Sequence, residues 1–217
     1  MPVRLCFTYL VTEQLEINSL EEYCQILASI AVALDRLQGE KTCYYADLIP
    51  TLLKVNSQLL ALQTSNFHHC TPLLTAITAG FQSRFDPFLN LKPEVTNAVL
   101  ATLTHPYFKL RWLSGQLSGH QSRLQGMLTA AAKSNAAAVS MCEQSKADDT
   151  DDDYFAFDES NSGDNETGTS VAVSSANKYE LEVLQYLEEK RRDLAVLHNY
   201  PTVKSLFIKY NAILASL

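Results

Sequence analysis

Glycine is scarce, with 7 in 217 positions, about 3% against the roughly 7% of an average chain. That shortage argues against loop-rich all-β folds and against glycine-lined phosphate loops. Long apolar runs are missing too. The longest, residues 30–34, is far short of the roughly 20 residues a membrane helix needs. No CxxC pair occurs among the five cysteines, Cys6, Cys24, Cys43, Cys70 and Cys142. An odd, scattered set with no small-residue cleavage site after residues 5–11 reads as free thiols in a reducing compartment. The sequon at Asn165-Glu166-Thr167 therefore carries no weight.

Apolar residues make up 47% of the chain, enough for a core and too many for wholesale disorder. The net charge of −7 is a property of one segment. Residues 147–175 hold nine acids and no lysine or arginine, so the other 15 acids meet 17 bases and leave +2. Such a segment, rich in Ser, Asn and Gly, buries too little to offset chain entropy and reads as a disordered acidic linker.

Helical periodicity dominates on either side. Leu20, Tyr23, Leu27, Ile30, Leu34 and Leu37 recur at spacings of 3, 4, 3, 4, 3, one face of a helix. Their burial is worth on the order of 10 kcal/mol before entropy. Ser19 with Glu22 forms a capping-box pattern, Thr12 offers an earlier cap, and Gly39 marks a stop. A second helix is expected over 42–62, kinked or broken at Pro50. Others open at Pro72 and Pro93, the latter interrupted at His105-Pro106. An alanine-rich helix is expected over 116–144. Beyond the linker, Asn177 with Glu180 suggests a new start, and a final helix begins near Pro201.

Chemistry-bearing patterns are few. His68-His69-Cys70 invites a metal, but a zinc site needs four ligands and no second pair exists, so it reads as a polar inter-helix loop. Asp151-Asp152-Asp153 lacks the spacing of a calcium loop. Lys109 and Arg111 interleave with Tyr107, Phe108 and Trp112, a mixture that suits nucleic acid. It suits equally a core with both cations pointing outwards, and the near-neutral charge favours that reading. Lys190-Arg191-Arg192 fits a helix C-terminus.

The order of the segments carries a resemblance. Leu20-Glu21-Glu22-Tyr23-Cys24, Ala33-Leu34-Asp35-Arg36-Leu37-Gln38-Gly39-Glu40 and Leu48-Ile49-Pro50-Thr51-Leu52 are followed by Pro72-Leu73-Leu74 and Arg84-Phe85. Next come Ala101-Thr102-Leu103-Thr104-His105-Pro106-Tyr107-Phe108-Lys109 and the acidic-aromatic Asp152-Asp153-Tyr154-Phe155-Ala156-Phe157. Tyr200-Pro201-Thr202-Val203-Lys204-Ser205-Leu206-Phe207-Ile208-Lys209-Tyr210-Asn211 closes the series. This set, over residues 12–211, resembles the helical region of hAT-superfamily DNA transposases and the proteins derived from them, which often carry BED-type zinc fingers. The resemblance implies an RNase H-like catalytic domain interrupted by a helical insertion. It places the family's three metal-binding acids outside this chain and leads into a C-terminal dimerisation region.

The expectation is thus an all-α, helical bundle-like fragment: 1–146 helical region, 147–175 acidic linker, and 176–217 the start of the dimerisation region. It has no catalytic, cofactor or metal residues and acts in scaffolding or self-association, with itself or another hAT-like chain. The alternative is a helical adaptor that binds a protein partner through its apolar helix face and acidic linker. DNA contact belongs to the complete family member, a nuclear location follows from the resemblance, and neither membrane nor small-molecule substrate is expected. Val203, Leu206, Phe207 and Tyr210 share a helical face and form the candidate interaction surface.

Overall fold

The computed structural model describes residues 3–39, 43–65, 67–144 and 169–211. It is all-α: among these residues there are seven α-helices, joined by short 3-10 turns, and no strand. They are α1 (Val3–Leu37), α2 (Leu48–Leu62), α3 (Thr71–Leu89), α4 (Thr96–Thr104), α5 (Gln121–Gln144), α6 (Thr169–Glu188) and α7 (Pro201–Asn211). The chain divides into two compact units, the first running to Thr102 and rejoined at Asn211, the second covering Leu103–Tyr210. This differs from a division at 146 and 176. Helix α6 also begins at Thr169, inside the segment read as linker, while residues 145–168 lie outside the described ones.

In the first unit, α2 packs against both α1 and α3. Ile26 of α1, Val55 and Leu59 of α2 and Leu74 of α3 form a buried cluster, with Ile30, Ala33, Ile77 and Phe81 packed around it. Pro50 neither kinks nor breaks α2. The helix starts only at Leu48, so Pro50 sits in the first turn, where its missing N–H costs no helical bond. Ala46, Ile49 and Leu52, and on α4 Ala98, Val99 and Ala101, are buried as well. Polar contacts there are specific: Thr102 Oγ1 donates to the Ala46 carbonyl at 3.1 Å, and the Ala46 amide donates to Asn211 Oδ1 at 3.1 Å.

Helix α3 ends in a Schellman-type turn. Lys92 N–H reaches the Pro87 carbonyl at 2.9 Å and Leu91 N–H the Phe88 carbonyl at 3.4 Å. Leu91 occupies the left-handed position with φ 48°, where glycine is usual and a leucine costs roughly 1–2 kcal/mol. Its side chain is buried, which returns about 1.5–3 kcal/mol and explains why leucine is tolerated.

In the second unit α5 packs along α6. Leu124, Leu128 and Ala132 recur at four-residue spacing on the buried side of α5, and Val183 and Tyr186 are buried on α6. Lys133 pairs with Glu180 at 3.4 Å across the two helices. Glu180 is therefore mid-helix, and Asn177 with Glu180 does not mark a start. The run 106–112 forms turns rather than helix, Pro106 lying two residues beyond the end of α4 at Thr104.

Candidate interaction surface

Helix α1 is one continuous rod through Ser19, so the capping-box residues there do other work. Ser19 Oγ donates to the Leu15 carbonyl at 2.8 Å. The Glu22 carboxylate leaves its own helix and accepts from the backbone amides of His68, His69 and Cys70 at 2.8, 2.9 and 2.8 Å. Those amides precede α3, whose first residues have no side-chain cap, so Glu22 supplies both acceptor and negative charge to that helix end. Desolvation opposes its ionisation, yet the three amide bonds outweigh it and hold the carboxyl below its ordinary range. His68-His69-Cys70 is thus an inter-helix loop fastened by its backbone, and no group of three or more possible metal ligands occurs among the described residues.

Helix α7 is fastened the same way. Glu182 of α6 accepts from Thr202 N at 2.8 Å, Val203 N at 3.3 Å and Thr202 Oγ1 at 2.7 Å, next to Pro201, which has no N–H to offer. Asn135 of α5 donates to Ser205 Oγ at 2.9 Å, and the Phe207 ring lies 5.7 Å from that of His105. This packing corrects the candidate surface at α7. Val203 and Leu206 are wholly buried, Phe207 and Tyr210 are half-buried, and the shared face is spent inside the chain. The apolar tail at 212–217 lies outside the described residues.

The cationic-aromatic run is also inverted relative to expectation. Lys109 is the buried member, 1% exposed, and Tyr107 is 51% exposed. Lys109 has φ 49°, the left-handed region, which turns its side chain under the end of α6. There Nζ donates to the Glu189 carbonyl and sits 4.6 Å from the Tyr186 ring centroid. Arg111 reaches the next carbonyl, Lys190, at 3.3 Å. Two cations thus close the negative end of α6. Trp112 Nε1 donates to the Lys109 carbonyl at 2.7 Å, and Tyr186 Oη to the Thr104 carbonyl at 2.7 Å. Burial pushes the Lys109 pKa down to about 8, helped by Arg111 and Arg191 and opposed by Glu189. Arg191 is itself held by Glu189 at 3.2 Å.

What remains open is α1. Its buried line is Ile26 with Ile30 and Ala33, rotated by roughly 60° from the centre of the six-residue stripe, with which it shares Ile30. Leu20 is 61% exposed, Tyr23 45%, Val32 68% and Leu34 52%. Leu27, Ile30 and Leu37 sit at the half-buried edge. Leu15, Glu16, Ser19, Leu20, Tyr23 and Cys70 line an open hollow of about 470 Å³ along it. Cys24 and Cys70 are free thiols, Cys70 Sγ lying 3.5 Å from the Ser19 carbonyl. The spacing of the stripe was visible in the sequence; its exposure was not, because Glu22 and the α3 loop it holds, 46 residues away, set the helix's rotation. No helix among the described residues is long and apolar enough to cross a membrane. No family model, curated protein or solved structure matches the chain.

Proposed function

We propose that this chain works as a non-catalytic helical scaffold that self-associates, with its units corresponding to the helical insertion of an hAT-type, RNase H-like transposase. The observation that carries the self-association reading is that Leu20, Tyr23 and Leu34, on one side of α1, are each about half exposed or more. Large apolar side chains left open along one helix side are the kind of feature that interaction surfaces use. The scaffold reading has further support in how the acids are used. Glu22 and Glu182 cap helices, Asp193 accepts from Val196 N, Asp47 pairs with Arg36, and Asp86 with Lys92. These carboxylates serve the fold. Support for the transposase origin is the ordered set of sequence segments, which runs across both units.

Sedimentation equilibrium of the purified chain over a wide concentration range tests the proposal. A mass that rises with concentration above that of one chain is expected. A single-chain mass throughout, with helicity intact, overturns it.

A further inference from the structure

We draw no further inference here: the strongest candidate, the surface patch along α1 at Leu20, Tyr23 and Leu34, is an apolar helix side for which nothing in the structure shows what covers it.

Discussion

Replacing Lys109 by methionine separates two things the lysine does at the end of α6. Its ammonium closes a backbone carbonyl and lies over Tyr186, and it does so while 1% exposed. The hydrogen bond from a charged group contributes about 1.5–3 kcal/mol and the ring contact about 0.5–2 kcal/mol. Against them stands the desolvation of a cation, several kcal/mol even after relaxation. Methionine keeps the stem's packing, so Lys109→Met should shift stability at neutral pH by no more than about 2 kcal/mol in either direction. The net value is a small difference of large terms and decides little alone.

Its pH dependence decides more. In the folded chain Lys109 loses its proton near pH 8, first through desolvation and then through Arg111 and Arg191; in the unfolded chain it does so near 10.4. Below pH 8 both states hold the proton and the group adds no slope. Between about 8 and 10.4 the unfolded state holds it and the folded state does not, so stability from this group rises with pH. One proton limits the slope to about 1.4 kcal/mol per pH unit. Urea melts from pH 7 to 10.5 on parent and variant isolate this contribution, because all other groups are shared. The parent-minus-variant difference should climb across that window. A flat difference would show that Lys109 keeps its proton, and a falling one that its charge stabilises the fold.

Two further perturbations test how the helices are fastened. Leu206→Ala should destabilise by about 2–5 kcal/mol in thermal or urea melts, and Leu206→Asp should unfold its unit rather than release a partner, because this side chain is wholly buried. A folded, unchanged Leu206→Asp chain would return α7 to the set of exposed surfaces. Glu22→Gln should lower the melting temperature at neutral pH and flatten the acid limb. Its folded pKa is held low, so its contribution is present above the ordinary carboxylate value and is lost as pH falls through the folded one. Identical acid limbs in parent and variant would refute the amide cap.

The sequence disclosed elements more reliably than it disclosed faces. Pro72 and Pro201 announced the starts of α3 and α7, and Gly39 the end of α1, because capping and φ restriction are local matters. The all-α class followed from periodicity for the same reason. Which side of a helix is buried is set by residues far along the chain. Glu22 binds a loop 46 positions on and Glu182 one 20 positions on, and no local pattern in this sequence encodes such pairings. Hence the stripe on α1 was found without the rotation that half-buries Leu27 and Ile30, and the stripe on α7 without the side chains that bury Val203 and Leu206. Lys109 shows the same failure in miniature. A lysine among aromatics is expected to point outwards, until a left-handed φ carries it under a helix end that lies 80 residues away. Charge, by contrast, gives a face away without any tertiary knowledge. A helix that must meet water on one side almost always shows it a charged residue, and α1 shows none from Tyr23 to Leu34. The absence of charge over three turns is thus legible in the sequence, while the rotation that buries Ile26 and exposes Val32 is not.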